Sequence, residues 1–378
     1  MKVLRLTYVP GEKELEGKNA IIDYGLFLTH LVPLSAELEK LGVKSDFFSS
    51  GREKKGAETT SGFPVHRTPL PQTPFFLPYG YGVKKFLAFQ HRDYDAIHAH
   101  NPAYAYYFAI DKNALCGMPL FITWHGLYPY GKYALSSLHS FFLRRLAKFA
   151  YFIAINSASM GQLRELGVPE ERARLISTGV DTEKFRESRG IRKHFIFIGR
   201  LVKWKNPLTV LKAFCLLAKK YPNERLSFIG TGPLENGLKE EAKKLGISRK
   251  VKFAGAIEYS KLPMLYSSAK ALVVPHLHDS FGKTVIEALA CGCPAICTDT
   301  DMPEDLKEYV ISIPAKEAEN HELLARKMMQ AIENFTEETA RAKKGRSIVE
   351  KNYSWTSKAA KTKEYYDSVL GDFSSTKK

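Results

Sequence analysis

Short apolar runs of strand length alternate with helical stretches along most of the chain. The runs of the first half lie at residues 2–9, 43–49, 96–100, 119–125, 151–156 and 173–178, and those of the second half at 194–199, 226–230, 251–255, 271–275, 294–298 and 309–313. Strands that alternate with helices predict parallel sheets covered by helices on both faces. The pattern therefore predicts an α/β protein with two doubly wound, Rossmann-like domains.

A polar segment at 186–193 separates the two sets of runs and is the best candidate for an interdomain linker. Near the end of the chain, a helical segment brings Trp355 together with Tyr365 and Tyr366. The chain has 378 residues, of which 44% are hydrophobic, and this is enough for two cores. We therefore expect an N-terminal domain at 1–186, a C-terminal domain at 187–354, and a terminal helix with its tail at 355–378.

The composition argues against a secreted or membrane-spanning protein. Charged residues interrupt the apolar run at Met1–Leu6, which is typical of a first strand and not of a signal peptide. No apolar stretch approaches the roughly 20 residues that cross a bilayer. The five cysteines fit neither a disulfide framework nor the C-x-x-C pairs of zinc sites, so buried thiols in a reducing cytoplasm are expected.

The chain carries a net charge of +16, and both halves are basic. Such an excess is compatible with nucleic acid, an anionic membrane surface, an anionic substrate or simply a solvated surface. No RNA- or DNA-binding motif is visible, so nucleic acid is not expected as a partner. The charge alone does not choose among the remaining interpretations.

The segment from Asp279 to Glu287 carries the clearest chemical signal. It follows an apolar run and leads into a helical pattern, which predicts strand, loop and helix. This layout puts Asp279 in the loop and Glu287 about one turn inside the helix, with Gly282, Lys283 and Thr284 near the helix N-terminus. Unpaired N–H groups at that end would face an anion, while the carboxylates could accept hydrogen bonds from hydroxyls. Together these groups suit a sugar nucleotide.

This segment resembles the signature of a known family, in which two glutamates flank seven residues that include Phe-Gly. The family is that of the retaining GT-B glycosyltransferases called family 4, or glycosyl transferases group 1. Here the first acid is Asp279, one methylene shorter. The resemblance implies that Glu287 binds the ribose hydroxyls and Asp279 the donor sugar, and that the donor is also contacted by Phe281, Gly282, Lys283 and Thr284. It also implies two domains facing a cleft and a C-terminal helix that crosses back onto the first domain.

Arg200 and Lys205 bracket a loop that follows the first strand of the second half. Asn206-Pro207 then marks a helix start, so the loop lies at the carboxyl end of a strand, where ligands bind in open α/β sheets. The spacing resembles the family pattern Gly-Arg, four residues, Lys. The resemblance implies that both cations hold the diphosphate without a metal, Arg as a planar fork and Lys as a point charge.

Two further positions resemble the family. Gly232 belongs to a glycine loop between a strand and a helix; it either lines the donor site or forms a plain turn, because a lone G-x-G is a weak signal. His125 ends a strand of the first half. The family carries at this place a histidine that contacts the donor sugar, so the resemblance implies a catalytic role for His125, with a core or surface histidine as the alternative.

Three other segments of the sequence could suggest a metal site. His98 and His100 lie on one face of a strand, but without a third ligand we favour structural or acceptor-side roles. The triplets at 93–95 and 299–301 satisfy the D-x-D pattern of metal-dependent glycosyltransferases. Two doubly wound domains do not fit the architecture of those enzymes. We therefore expect neither a metal nor an organic cofactor.

The expected reaction is retaining transfer of a hexose-type sugar from a nucleotide diphosphate donor to a hydroxyl of a carbohydrate or lipid-linked acceptor. A nucleotide-sugar epimerase of the same fold is the enzymatic alternative. A nicotinamide oxidoreductase is disfavoured, because neither half shows G-x-G-x-x-G directly after its first strand. A non-enzymatic binder of anionic surfaces is the third possibility.

Aromatic and basic residues in the first half suggest contact with a membrane surface. The segment at 74–81 is rich in aromatics, and the helix predicted near 132–149 carries Phe141, Phe142, Arg144, Arg145 and Lys148. Such residues suit a headgroup layer, although the aromatics could equally pack on their own domain. The expected location is the cytoplasm, with peripheral contact at the inner face of the membrane as a further hypothesis.

Overall fold

The computed structural model describes residues 1–7, 27–51, 56–69, 77–125, 137–188, 192–277, 282–299 and 302–375. The chain divides into two compact units: the first comprises Met1–Thr178 and Trp355–Lys378, and the second Gly179–Ser354. The first boundary between the units falls between residues 178 and 179. The sequence analysis expected this boundary between residues 186 and 187. The second falls between residues 354 and 355.

The first unit is built on an eight-stranded sheet. Its strands are β1 (Lys2–Leu6), β2 (Lys44–Gly51), β3 (Gly56–Thr60), β4 (Phe63–Pro69), β5 (Ala96–Ala99), β6 (Leu120–Trp124), β7 (Tyr151–Ala154) and β8 (Ala173–Leu175). The order across the sheet is β3-β4-β2-β1-β5-β6-β7-β8, and every neighbouring pair is parallel except β3 and β4.

Helices cover both faces of this sheet. They are α1 (Val32–Lys40), α2 (Leu77–Gln90), α3 (Tyr106–Ile110), α4 (Ser137–Ala147) and α5 (Ser157–Glu165). All residues of β5 and β6 are buried, as expected for parallel strands covered on two sides. The alternating strands and helices of the sequence thus form a doubly wound domain.

The second unit contains a six-stranded sheet. Its strands are β9 (His194–Ile198), β10 (Leu226–Ile229), β11 (Val251–Phe253), β12 (Ala269–Val274), β13 (Ala295–Thr298) and β14 (Ile311–Ile313). They are all parallel, in the order β11-β10-β9-β12-β13-β14. The helices are α6 (Pro207–Lys220), α7 (Glu235–Lys244), α8 (Leu262–Ser268), α9 (Lys283–Ala290), α10 (His321–Glu333) and α11 (Phe335–Tyr353).

The last helix, α12 (Trp355–Ser375), belongs to the first unit although it follows the second in the chain. Its aromatic residues join the core formed by the sheet and α1. The ring of Tyr366 lies 4.7 Å from that of Phe121 on β6, and Tyr365 lies 5.6 Å from the same ring. The prediction of a terminal helix that returns to the first domain is confirmed.

Every apolar run predicted from the sequence contains a strand, but β3 and β4 were not predicted. Their sequences are mostly polar, and Pro64 and Pro69 lie in β4. β3 is the edge strand of the sheet, where polar residues are tolerated, and the two prolines are the second and the last residue of its inner neighbour β4. Within the described residues, no helix combines the length and the apolar content that a bilayer crossing requires.

Candidate active site

Glu287 lies one turn inside α9. The helix begins after Gly282, whose φ of +49° is left-handed and whose carbonyl accepts hydrogen bonds from Val285 and Ile286. The Glu287 carboxylate is buried: Oε1 accepts a hydrogen bond of 2.9 Å from the Tyr259 hydroxyl, and Oε2 accepts one of 2.9 Å from Tyr266. The side chain is therefore fixed in one orientation.

Lys283 shares the first turns of α9 with Glu287. Its Nζ lies 4.0 Å from Glu287 Oε1 and 5.2 Å from the centre of the Tyr259 ring. Burial raises the pKa of Glu287, although Lys283 and the two tyrosine hydroxyls oppose this shift. Burial also lowers the pKa of Lys283, and the Glu287 charge opposes that shift. The lysine ammonium thus lies close to a carboxylate that has little access to water.

Tyr259 and Tyr266 join the candidate site through their hydrogen bonds to Glu287, and the sequence analysis did not name them. Phe185, which is fully buried, packs on both rings at centroid distances of 5.1 and 6.1 Å. Its amide donates a hydrogen bond to the Asp181 carbonyl, and the Val180 amide donates one to Tyr353. The segment at 179–185 thus supports the tyrosines that hold Glu287. The available signal was a pair of tyrosines, one just before α8 and one within it.

Arg200 and Lys205 lie in the loop after β9, at the carboxyl edge of the sheet. The helix predicted after this loop is α6, and Asn206 precedes it in a left-handed conformation with a φ of +57°. Asn206 Nδ2 donates hydrogen bonds to the carbonyls of Pro275 and Ala318, at 3.1 and 2.7 Å. The end of the loop is therefore anchored to the chain that follows β12.

Trp204 lies between the two cations in sequence and contacts both in space. The Lys205 Nζ is 4.3 Å from the centre of the Trp204 ring, and the Arg200 guanidinium carbon is 5.5 Å from it. The Trp204 carbonyl accepts a hydrogen bond of 2.9 Å from Leu277, just beyond β12. Trp204 therefore brings Arg200 and Lys205 together. Sequence reasoning missed it, because a tryptophan within a basic loop is not itself a binding motif.

His276 also borders Lys205. Its Nδ1 lies 3.5 Å from the Lys205 Nζ. Burial, helped by the lysine charge, holds the pKa of His276 well below its ordinary value. The imidazole is therefore neutral at pH 7 and adds no charge beside Lys205.

Gly232 follows β10 and packs against the loop that carries Arg200. A Cβ atom at Gly232 would lie only 2.4 Å from the Leu201 carbonyl oxygen, and one at Gly230 would lie 2.1 Å from that of Gly199. The Leu201 amide donates a hydrogen bond to Thr231. Both glycines are thus required for two loops to touch, which is a structural reason for glycine that needs no ligand.

Other predicted residues of the second unit have simpler placements. Asp279 and Phe281 lie outside the described residues, and Thr284 lies in the first turn of α9, partly exposed. In the triplet at 299–301, only Asp299 is described, and its Oδ1 accepts a hydrogen bond of 2.8 Å from the Ala315 amide. That carboxylate therefore serves a backbone turn.

In the first unit, His125 follows β6 directly. Its ring centre lies 6.1 Å from that of His30, and its Nε2 is buried without a hydrogen-bond partner. Burial lowers the pKa of His125 from 6.5 to about 4, so the ring is neutral at pH 7.

His98 and His100 are buried on β5 and directly after it, and their rings are 4.1 Å apart. His98 lies 2.6 Å from the Tyr366 hydroxyl and 2.8 Å from that of Thr123. His100 Nε2 lies 2.9 Å from the Arg5 guanidinium. Among the described residues, no three His, Cys, Asp or Glu side chains are grouped as a metal site would require.

The aromatic residues considered for membrane contact differ in exposure. Phe142 is buried and stacks on Tyr106 with ring centres 5.0 Å apart, so it packs on its own domain. Phe141 is 48% exposed, and Arg145 lies over its ring. In the segment at 74–81, residues 74–76 lie outside the described part of the chain.

Comparison with known proteins places this geometry in a family. The model described as "Glycosyl transferases group 1" matches residues 181–348, and that described as "Glycosyltransferase Family 4" matches residues 29–184. The uncharacterized glycosyltransferase MJ1607 of Methanocaldococcus jannaschii is 24% identical, over 71% of this chain and 75% of its own.

A D-inositol 3-phosphate glycosyltransferase of Corynebacterium urealyticum is 32% identical, over 35% of this chain and 37% of its own. A mannosylfructose-phosphate synthase of Agrobacterium fabrum is 30% identical, over 36% of this chain and 34% of its own. The chain therefore matches these two relatives over little more than a third of their length.

Solved structures share the fold. Anabaena Alr3699/HepE in complex with UDP has a TM-score of 0.75 at 18% identity, covering 97% of this chain and 100% of that one. The sucrose-phosphate synthase of Thermosynechococcus elongatus has a TM-score of 0.74 at 18% identity, covering 98% and 99%. The two family matches and the shared fold confirm the resemblance: the chain belongs to the glycosyl transferases group 1 family and is a glycosyltransferase with the GT-B fold.

Proposed function

We propose that the protein transfers a hexose-type sugar from a nucleotide diphosphate donor to an acceptor hydroxyl, with retention of configuration and without a metal. The observation that carries the proposal is the contact of Arg200 and Lys205 with one Trp204 ring at the carboxyl edge of the second sheet. Breaking the glycosidic bond builds negative charge on the leaving diphosphate, and fixed cations can stabilise that charge. These two side chains supply the positive charge that a metal would otherwise provide.

The carboxylate of Glu287 would bind the ribose hydroxyls of the donor. Each of its oxygens accepts one tyrosine hydrogen bond and has a further lone pair for a ligand. Asp279 and Phe281 would contact the donor sugar and its surroundings, and the amides at the start of α9 would face a phosphate. In this account Glu287 positions the donor and is not a nucleophile.

The acceptor hydroxyl would attack from the face that the diphosphate leaves. The departing phosphate oxygen would take the acceptor proton, so no covalent intermediate with the protein is required. His125, neutral at pH 7, would hydrogen-bond the donor sugar through its buried Nε2. Exclusion of water from the donor would prevent hydrolysis.

The relatives suggest which donor and acceptor to try first. Anabaena Alr3699/HepE has been solved with UDP-glucose, and two relatives are named for phosphorylated products or acceptors, the D-inositol 3-phosphate glycosyltransferase and the mannosylfructose-phosphate synthase. UDP-glucose is therefore the first donor to test here. The acceptor is expected to be a carbohydrate or a lipid-linked carbohydrate.

A membrane-facing surface would suit a lipid-linked acceptor. Helices α2, α3 and α4 carry Tyr81, Phe89, Ile110 and Phe141 with exposed fractions of 51%, 89%, 54% and 48%. Exposed cations lie among them, including Lys85 and Arg144. Aromatic and basic side chains together favour anionic headgroups. Co-sedimentation with phosphatidylglycerol vesicles is expected, and its loss in the double variant Phe89→Ser/Phe141→Ser would support this surface.

The proposed activity is tested by incubating the protein with UDP-glucose and candidate sugar or sugar-phosphate acceptors in the presence of EDTA. Mass spectrometry should detect a glycosylated acceptor. NMR should show that the new glycosidic bond of the product has the same anomeric configuration as the donor. Conversion of the donor sugar in the absence of any acceptor would instead favour an epimerase. Activity that requires added manganese would contradict the metal-free mechanism.

A further inference from the structure

Arg5 on β1 is a fully buried cation in the first unit. Its Nε donates a hydrogen bond of 2.9 Å to the Ser45 hydroxyl, and its Nη1 lies 2.9 Å from His100 Nε2 and 3.4 Å from His98 Nδ1. No ion pair among the described residues includes Arg5. Because a buried charge is costly unless it is paired, this guanidinium needs a further explanation.

The contacts of Arg5 fix the tautomer of His100. A guanidinium has only donors, so His100 Nε2 must accept the hydrogen bond from Arg5 Nη1. In a neutral imidazole the other nitrogen then carries the proton. His100 Nδ1 is therefore an N–H donor.

Two buried donors in this cluster have no hydrogen-bond partner: Arg5 Nη2 and His100 Nδ1. They belong to the two groups that are joined by the 2.9 Å contact, so they lie in the same small region. Unpartnered buried donors beside a fixed positive charge indicate a place for an acceptor that carries negative charge.

The position of this cluster favours a ligand over a purely structural role. His100 follows β5 directly, and its amide donates a hydrogen bond to Leu6, the last residue of β1. Arg5 is the residue before Leu6, so both residues stand near the carboxyl ends of their strands, the edge of the sheet at which ligands bind in doubly wound folds. An arginine fork and an imidazole N–H are well suited to an oxyanion with several oxygens.

We propose that Arg5 and His100 bind an oxyanion, a phosphate or carboxylate group, that is carried by the acceptor substrate. Its assignment to the acceptor rests on the proposed function, whereas the binding of the anion itself does not. The site restricts the acceptor to molecules with such a group, and it places that group at the edge of β1 and β5.

Thermal unfolding with inorganic phosphate tests the anion site without any turnover. At constant ionic strength set with chloride, phosphate well above its Kd is expected to raise the Tm of the wild-type protein by about 2–4 °C or more. Arg5→Met should abolish this rise, and Arg5→Lys should restore part of it. The matched control is Lys358→Met, which removes another buried cation of the same unit, one bonded to the Ser177 hydroxyl.

Phosphate could also occupy the proposed diphosphate site, so Arg200→Ala is measured in parallel. A rise that disappears in Arg5→Met and persists in Arg200→Ala supports the proposal. A rise in Tm that persists in Arg5→Met, or that is absent from the wild-type protein, overturns the proposal. The unpartnered donors would then bind a water molecule and not an anion. If the protein transfers no sugar but its Tm still rises with phosphate in an Arg5-dependent way, the proposed function is refuted and the anion site is retained.

The source of the oxyanion is tested by inhibition kinetics on the acceptor found in the transfer assay. Inorganic phosphate should compete with the acceptor and not with the donor, and Arg5→Met should weaken this inhibition about tenfold or more. Inhibition that competes with the donor alone, or that is unchanged in Arg5→Met, would contradict an acceptor-borne anion.

Discussion

The Lys205 ammonium lies 4.3 Å from the centre of the Trp204 ring, and the Arg200 guanidinium contacts the same ring. One aromatic side chain thus contacts both cations that we propose bind the donor diphosphate. Each long side chain loses conformational freedom when it binds a phosphate, and prior contact with a ring reduces that loss.

Replacing Trp204 should therefore weaken donor binding while leaving both cations in the chain. Cation–π contacts at partly exposed sites contribute about 0.5–1 kcal/mol each, so losing both in Trp204→Leu should raise the Kd of UDP by up to about fivefold to thirtyfold. Trp204→Phe is the matched control and should recover most of the affinity. Isothermal titration gives both values, and equal affinities for the Leu and Phe variants would exclude the ring as the cause.

Tyr266 is expected to matter through Glu287. The variant Tyr266→Phe removes one of the two hydroxyls that donate to a buried carboxylate, and it should cost about 1–3 kcal/mol of unfolding free energy. It should also raise the pKa of Glu287 further, because one hydrogen bond that favours the charged form is lost. Urea denaturation measures the first effect. Tyr259→Phe, which removes the other hydroxyl, should show a similar loss. Tyr221→Phe is the matched control, since it removes a hydroxyl that donates to the exposed carboxylate of Glu333 at the end of α10, and it should change stability little.

The glycine at position 232 should be intolerant of a side chain. In Gly232→Ala the new methyl group would overlap the Leu201 carbonyl oxygen, so the Tm should fall by several degrees and the Arg200 loop should shift. Gly237→Ala is the control, since a Cβ there meets nothing within 4 Å in α7 and alanine favours a helix. Equal Tm values for the two variants would show that the loops do not pack as described.

Acid should destabilise the first unit through its buried histidines. His98, His100 and His125 all have pKa values lowered by burial, His125 from 6.5 to about 4. Below about pH 6.5 the unfolded chain binds protons that the folded chain does not, so stability is full above that pH and falls toward pH 4. Denaturation midpoints measured across this range should decline less in His125→Asn. A midpoint that is independent of pH between 6.5 and 4 would contradict neutral buried imidazoles.

The sequence predicted the parallel sheets well, because strands covered on both faces must be apolar along their whole length. Strands β3 and β4 lack that signal, since the edge strand β3 is mostly polar and Pro64 and Pro69 interrupt the apolar pattern of β4 near its two ends. The sequence also predicted the start of α9 and the position of Glu287 within it, because Gly282 lies directly before a helical pattern and marks the helix start.

Residues that act through distant contacts could not be predicted in this way. Tyr259 and Tyr266 are separated from Glu287 in the sequence by the whole of β12. Their hydroxyls reach the carboxylate because α8 packs against α9. Arg5 was not named as a site residue, because a single basic residue within an apolar strand forms no recognisable motif. Its complete burial beside His98 and His100 depends on the order β1-β5-β6, which the sequence pattern does not specify.

The central claim, that Arg200 and Lys205 hold a donor diphosphate without a metal, is tested most directly by titrating UDP into the protein in the presence of EDTA. The wild-type protein and Lys203→Ala, an exposed lysine of the same loop, should bind UDP equally well. Arg200→Ala and Lys205→Ala should each weaken binding by about tenfold to a hundredfold, the effect of removing one charge-assisted hydrogen bond of about 1.5–3 kcal/mol. Unchanged affinity in these two variants, or a loss of binding in EDTA that manganese restores, would contradict the account.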